Sequence, residues 1–165
     1  MTPLQARLAS VLFCLTANHR NTDFDVLDRI SRASESTGAD IVAAHGFVRG
    51  AVVLSTCNRF ETYLELDEPL TGGVALAREA VLESLAMTVG ADAEALRSSA
   101  VALCGDEVVR HLFAVSPGLE SMVVGEEEIS GQVQRSLSGA RTAGTTSTEL
   151  EQAFFDYQSG KMGHL

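Results

Sequence analysis

Two strand-like segments joined by a very short polar connection constrain the fold of this chain more than any other feature. Residues 51–56 form a largely apolar run, and residues 60–66 alternate between apolar and polar side chains. Only Cys57, Asn58 and Arg59 separate them, which predicts a tight connection between two strands. The connection would hold a thiol, an amide and a guanidinium on a rigid support, a combination that suits a polar, anionic ligand.

The alternation in the second segment predicts how that strand is buried. Even-numbered residues from Phe60 to Leu66 share one face of the strand, and odd-numbered residues from Glu61 to Glu65 share the other. The first set is mostly apolar and the second mostly polar. We therefore expect one buried face and one face that is wet or turned toward a ligand.

The order of the remaining segments predicts the architecture. A short apolar strand at residues 11–15 is followed by a helical stripe at 24–33. After the paired strands, a second helical stripe covers 74–85, and a fourth strand covers 101–104. Strand, helix, strand, strand, helix, strand is the order of the ferredoxin-like split βαβ fold, an α+β sandwich with an antiparallel four-stranded sheet and helices on one face.

The last third of the chain is predicted to be helical. One helix begins after Gly105, a second begins with the carboxylates at 126–128, and a third covers 150–157. We expect residues 1–115 to form the ferredoxin-like core and residues 116–165 to form a helical extension that completes the active site.

Composition excludes several classes of protein. The 165 residues carry a formal net charge of -10, which is unfavourable for wrapping a phosphate backbone, so an RNA partner would be touched over a small part only. No apolar run approaches the length of a membrane span, which predicts a cytoplasmic protein. Three cysteines without Cys-x-x-Cys spacing argue against a disulfide framework and a zinc site. No Gly-x-Gly-x-x-Gly motif is present, so the chain has no nucleotide-binding fingerprint of its own.

Two residues stand out as candidates for chemistry, each with a structural alternative. Cys57 is the best candidate nucleophile, since a thiolate attacks carbonyl groups well, but from composition alone a packed core cysteine is the simpler interpretation. Cys14 and Cys104 lie in apolar strands and are expected to be core residues. His111 lies on an otherwise apolar helix, where a hydrogen-bonded core histidine is the simplest interpretation.

Several segments together resemble one known family, the glutamyl-tRNA reductases. The active-site motif of that family is similar to the Ser-Thr-Cys-Asn-Arg run at 55–59 with Glu61 behind it. A second signature is similar to His-Leu-Phe at 111–113, to Gly-Leu-Glu-Ser-Met-Val-Val-Gly-Glu at 118–126, and to Ile-x-Gly-Gln-Val at 129–133. The N-terminal loop of the family resembles Asn-His-Arg at 18–20 with Thr22. On this resemblance, Cys57 and His111 are expected to be functional.

The resemblance implies roles for individual residues. Cys57 would attack the aminoacyl ester of glutamyl-tRNA and hold glutamate as a thioester, and His111 would act as a base or as an orienting group. The implied substrate-binding residues are Thr56, Asn58, Arg59, Ser121, Glu126, Glu127, Glu128 and Gln132. Arg59 suits the side-chain carboxylate of glutamate, and Glu126 suits its ammonium group. The family usually has glutamine where this chain has Glu128, which alters the chemistry of that contact.

The resemblance also implies a cofactor and partners. The family reduces the thioester with NADPH to glutamate-1-semialdehyde, in the biosynthesis of 5-aminolevulinate and tetrapyrroles. NADPH would be bound by a domain that is absent from this chain, so the fragment alone is expected to lack reductase activity. A homodimer of the full-length enzyme and a contact with glutamate-1-semialdehyde aminomutase are implied as well. The alternatives are a non-catalytic ferredoxin-like interaction module and a stand-alone thiol esterase.

Overall fold

The computed structural model describes residues 10–68, 73–114 and 126–159, with the backbone alone at 114, 126–130, 158 and 159. The described strands are β1 (Ser10–Asn18), β2 (Val48–Thr56), β3 (Arg59–Asp67) and β4 (Val101–Cys104). The described helices are α1 (Phe24–Ala33), α2 (Thr37–Ala44), α3 (Gly73–Val89), α4 (Ala91–Ser99), α5 (Asp106–Ala114), α6 (Glu126–Ala143) and α7 (Thr148–Ser159). Within the described part of the chain, each helix is too short or too polar to span a lipid bilayer.

The four strands form one antiparallel sheet in the order β2-β3-β1-β4. This is the strand order of the ferredoxin-like fold, so the predicted fold class and sheet are confirmed. β3 lies between β2 and β1, and Thr56 pairs with Arg59 across the β2–β3 hairpin. The connection is therefore a turn of two residues, Cys57 and Asn58.

One face of the sheet packs on α1 to α4 and forms the larger core. Phe60, Leu64 and Leu66 of β3 are buried there, as the alternation predicts. Leu27 of α1 and Leu85 of α3 lie in the same core. Aromatic and branched side chains favour the strand here because they fill a pleated surface that is fully covered.

The opposite face of the sheet differs from the prediction. Glu61, Tyr63 and Glu65 are buried, with exposed fractions of 0%, 1% and 3%, so the expectation of a wet face is wrong. The physical reason is a second core, in which α5, α6 and α7 cover this face of the sheet. Phe154 of α7 packs edge-on against Tyr63, with ring centroids 5.2 Å apart. The sheet thus carries helices on both faces, and the division at residue 115 remains a prediction.

The loop between α6 and α7 closes part of the free edge of β2. The amide of Ala51 donates to the carbonyl oxygen of Thr145 at 2.7 Å, and the Thr145 hydroxyl donates to the carbonyl oxygen of Ala51 at 3.0 Å. A Cβ atom on Gly50 would lie 2.6 Å from the Cβ of Ser147, so a residue without a side chain is needed for this close approach. The loop fixes the position of α6 beside the edge strand.

Candidate functional site

The thiol of Cys57 lies at the tip of the β2–β3 hairpin and is exposed. Two hydrogen bonds stabilise the turn. The amide of Asn58 donates to Oγ1 of Thr56 at 3.2 Å, and the carbonyl oxygen of Asn58 accepts from the amide of His19 at 3.0 Å. Since the side chain is exposed, the alternative of a packed core cysteine is wrong for Cys57. The fold presents this thiol to solvent on a short, supported turn.

The other two cysteines differ from Cys57 and from each other. Cys14 is fully buried in β1, as expected, and burial together with the charge of Glu61 raises the pKa of its thiol well above the ordinary value. Cys104 is only half-buried, so the expectation of a core position is wrong for this residue. It ends β4, a short edge strand, where the cover is incomplete. Partial burial still raises the pKa of the Cys104 thiol.

A buried carboxylate, Glu61, is the centre of a polar cluster directly behind the hairpin. Its Oε2 atom accepts from the Thr16 hydroxyl at 2.7 Å and lies 3.4 Å from Nη1 of Arg59. The same oxygen is in hydrogen-bond contact with Nε2 of His111. Its Oε1 atom accepts from the Tyr63 hydroxyl at 2.8 Å. These contacts connect the hairpin, the first strand and helix α5 through one carboxylate.

The cluster keeps Glu61 ionised although it is buried. Burial raises the pKa of the carboxyl group, but the hydrogen bond and charge of His111, the charge of Arg59 and the Thr16 hydrogen bond outweigh it. The pKa of Glu61 therefore lies below its ordinary value. Burial and the charge of Glu61 raise the pKa of Tyr63 well above its ordinary value, so this phenol remains a donor.

The contact with Glu61 determines which ring nitrogen of His111 carries a hydrogen. An ionised carboxylate can only accept, so Nε2 must carry the hydrogen in this contact. In a neutral imidazole, Nδ1 is then the atom with the free lone pair. The side chain of His111 is 18% exposed, so it is part-buried and hydrogen-bonded. Glu61 thus orients an imidazole that can accept a proton.

The structure brings together some of the predicted site residues. Arg59 and His111 both contact the carboxylate of Glu61, and Arg59 is itself buried. Thr56 and Gln132 line one cavity of about 700 Å³ beside β2. Asn58 is exposed at the tip of the hairpin.

The other predicted substrate contacts are not described. Ser121 lies outside the described residues. The backbone of Glu126, Glu127 and Glu128 forms the first turn of α6, but their side chains lie outside the described part of the chain. Among the described residues, no group of three or more histidine, cysteine, aspartate or glutamate side chains could hold a metal ion.

Sequence reasoning missed the residues that organise the cluster. Glu61 belongs to the Ser-Thr-Cys-Asn-Arg motif region and to the alternating face of β3, but neither pattern assigns it to the site. Tyr63 shares that face, so the alternation groups these two residues. Thr16 lies opposite Glu61 in the β1–β3 register, and that pairing becomes visible only once the register is known.

Comparison with known proteins identifies what this domain is similar to. The family model described as "Glutamyl-tRNAGlu reductase, N-terminal domain" matches residues 15–159. A glutamyl-tRNA reductase of Clavibacter michiganensis is 53% identical over 144 residues, which cover 87% of this chain and 33% of that protein. One of Kocuria rhizophila is 45% identical over 144 residues, with the same coverage of both chains.

A solved structure shows the same fold. The glutamyl-tRNA reductase of Methanopyrus kandleri matches with a TM-score of 0.67 and 32% sequence identity, covering 90% of this chain and 32% of that one. The present chain therefore spans about one third of the length of the curated relatives it matches.

Proposed function

The chain belongs to the family of glutamyl-tRNA reductase N-terminal domains, and from this premise we propose that Cys57 captures the glutamyl group of glutamyl-tRNA as a thioester. One observation carries the proposal most directly. The thiol is exposed on a supported turn, and the adjacent strand leads into the cluster of Arg59, Glu61 and His111. A nucleophile, a cation and an oriented imidazole thus come from one hairpin and the helix that packs on it.

The chemistry of capture balances without an added reactant. The Cys57 thiol loses its proton, and its sulfur attacks the carbonyl carbon of the aminoacyl ester. The carbon–oxygen bond to the ribose breaks, the ribose oxygen leaves with one proton, and the glutamyl group remains on sulfur. Because the thiol releases one proton and the ribose takes one up, a single proton carrier suffices. The imidazole of His111, oriented by Glu61, suits that task.

The neighbouring residues suit a glutamyl substrate. Arg59 offers a guanidinium that can pair with the side-chain carboxylate of glutamate. Thr56 and Gln132 offer a hydroxyl and an amide on the cavity beside the turn. We assign Asn58, Ser121, Glu126, Glu127 and Glu128 to the same substrate site on the family motifs alone.

The described residues do not fit a nicotinamide cofactor. The sheet is antiparallel between all neighbouring strands, and the chain lacks the glycine-rich turn that cradles a dinucleotide. Reduction by NADPH to glutamate-1-semialdehyde, as the first committed step toward 5-aminolevulinate and tetrapyrroles, is therefore assigned to a longer protein that contains this domain. Dimerisation and a contact with glutamate-1-semialdehyde aminomutase belong to that longer protein as well.

Selective alkylation tests the proposed nucleophile. With limiting iodoacetamide at neutral pH, we expect Cys57 to react first, Cys104 more slowly and Cys14 last. The reason is that Cys104 and Cys14 are less exposed and that burial raises the pKa of both thiols. Peptide mapping gives the order of modification. Release of tRNA from glutamyl-tRNA should be lost in proportion to the modification of Cys57. A chain with Cys57 fully alkylated that still captures the glutamyl group would rule out this residue.

Substitution of Arg59 by lysine tests the substrate contact. A lysine ammonium is a point charge and cannot form the two parallel hydrogen bonds that a guanidinium offers a carboxylate. We expect Arg59→Lys to lower the preference for a glutamyl over a glutaminyl thioester of N-acetylcysteamine roughly tenfold, which corresponds to the loss of one charge-assisted hydrogen bond. Competition between the two thioesters measures this ratio. Because a purely structural defect would slow both substrates alike, an unchanged ratio would remove Arg59 from the pocket.

A further inference from the structure

A groove of about 700 Å³ runs along the free edge of β2 and is not used by the cluster around Glu61. One wall is formed by the end of α1 and by α2, and the other by α6. Its residues near the hairpin are Ser55 and Thr56, which directly precede Cys57. The groove therefore begins beside the proposed nucleophile and leads away from it along the strand.

The floor of the groove is the edge of β2, to which no further strand of the described residues is paired. Backbone amide and carbonyl groups of alternate residues point to the same side of an antiparallel strand. Since Ala51 turns both groups outward to Thr145, Val53 and Ser55 present theirs to the same edge, beyond the part closed by the loop. Both residues line the groove. Donors and acceptors are thus available along its floor.

The walls are polar and small rather than apolar. Ser34 and Ser136 contribute hydroxyl groups, and Arg135 contributes a guanidinium. That guanidinium lies over Gly131 one turn earlier, where a Cβ atom would be 3.2 Å from Nη1. Glu35 is the lining residue of opposite charge. The Oγ of Ser55 is covered and has no hydrogen-bond partner among the described residues.

We propose that this groove binds the single-stranded 3′ end of the tRNA while Cys57 attacks the ester. The inference rests on the proposed function and adds a site for the leaving group. The glutamyl ester is carried by the ribose of the terminal nucleotide, so this nucleotide must lie next to the sulfur during capture. The groove begins at that point, and its volume falls within the range of about 300–1,000 Å³ that is usual for ligand sites.

The chemistry of the groove favours a nucleotide over a protein segment. Hydroxyls and outward-facing backbone groups suit a ribose and the edge of a base, and Arg135 suits one phosphate. An extended peptide would need a longer free edge, whereas the Thr145 contact leaves two outward-facing residues, Val53 and Ser55. A short contact also agrees with the net charge of -10, which opposes the binding of a long stretch of RNA.

Two groove variants test the proposal by different means. Arg135→Gln removes the positive charge and keeps a helix-forming residue. Gly139→Leu fills the groove from an exposed helical position where a Cβ atom meets nothing within 4 Å, and leucine favours a helix more than glycine does. Arg141→Gln is the matched control, since it removes an equal charge from an exposed residue of the same helix that does not line the groove.

The assay compares two acyl donors for Cys57, glutamyl-tRNA and the N-acetylcysteamine thioester of glutamate. We expect both groove variants to lower the second-order rate of acylation by glutamyl-tRNA about tenfold and to leave the rate with the small thioester within twofold. Arg135→Gln should also reduce the slope of log rate against log salt by about 0.7, as for one lost phosphate contact with a single strand. Arg141→Gln should change neither the tRNA rate nor this slope.

The outcomes separate this inference from the proposed function. If glutamyl-tRNA acylates the groove variants at the wild-type rate, the inference is wrong. The strand edge would then bind a different ligand, such as an extended peptide. If both donors slow equally, the variants act on the acyl site and the inference is again wrong. A wild-type chain that neither donor acylates would instead refute the proposed function, and the inference with it.

Discussion

Glu61→Gln should both destabilise the fold and slow the capture of glutamate. Glutamine keeps the size of the side chain but removes the charge that His111, Arg59 and Thr16 contact. Removing one partner of a buried ion pair leaves the other poorly compensated, which costs about 3 kcal/mol. We expect the free energy of unfolding in urea at neutral pH to fall by that amount. Capture of glutamate should also slow at least tenfold, because the imidazole loses its orienting acceptor.

The pH dependence of this loss follows from the pKa of Glu61. The folded state holds the pKa below the ordinary value of 4.5, so folding favours the ionised form. The resulting stabilisation is fully present above pH 4.5 and is lost as the pH falls through the lower folded-state pKa. Glutamine does not titrate. The difference in unfolding free energy between wild type and Glu61→Gln should therefore shrink as the pH is lowered below 4.5.

Glu65→Gln is the matched control for this prediction. Glu65 lies on the same face of β3 as Glu61 and is also buried. Its Oε2 atom lies 3.5 Å from Nη1 of Arg49, and its Oε1 atom accepts a hydrogen bond from the amide of Glu149. Loss of the Glu65 charge should destabilise the fold but leave the rate of glutamate capture close to that of the wild type. If Glu61→Gln and Glu65→Gln slow capture equally, Glu61 has only a structural role and the proposed orientation of His111 is unsupported.

The sequence was sufficient to predict the sheet because local and global signals agree there. Alternation in β3 and the short connection at Cys57 and Asn58 fix a hairpin, and the order of strands and helices limits the topology to few choices. The observed order β2-β3-β1-β4 is one of these choices. The buried positions of Phe60 and Leu64 follow from the period of two.

The polar face of β3 could not be predicted from the same pattern. Alternation shows that Glu61 and Tyr63 share a face, but it does not show what covers that face. Here α5, α6 and α7, distant in sequence, enclose it, and the carboxylate is tolerated because four side chains contact it. A buried charge of this kind depends on contacts between β1, β3 and α5 that a single sequence does not display.

Replacing the proposed nucleophile should have the largest effect on capture. We expect Cys57→Ser to slow formation of the acylated protein at least about 1,000-fold, since a hydroxyl remains protonated at neutral pH and is a much weaker nucleophile than a thiolate. Folding should be unaffected because the side chain is exposed at the tip of a turn. The urea midpoint of Cys57→Ser should therefore match that of the wild type.

Cys104→Ser provides the control for thiol chemistry. It removes a cysteine that is half-buried at the end of β4, away from the hairpin turn. Acylation by glutamyl-tRNA should proceed at the wild-type rate in this variant. Equal losses in Cys57→Ser and Cys104→Ser would indicate a general effect of thiol removal and would contradict a specific nucleophile at position 57.

Intact-protein mass spectrometry after mixing the chain with glutamyl-tRNA tests the central claim most directly. The account predicts a mass increase of one glutamyl group in the wild type and in Cys104→Ser, removed by hydroxylamine as a thioester should be, and located on Cys57 by peptide fragmentation. No such increase should occur in Cys57→Ser. A glutamyl adduct of undiminished yield in Cys57→Ser, or one located on another residue of the wild type, would contradict the assignment.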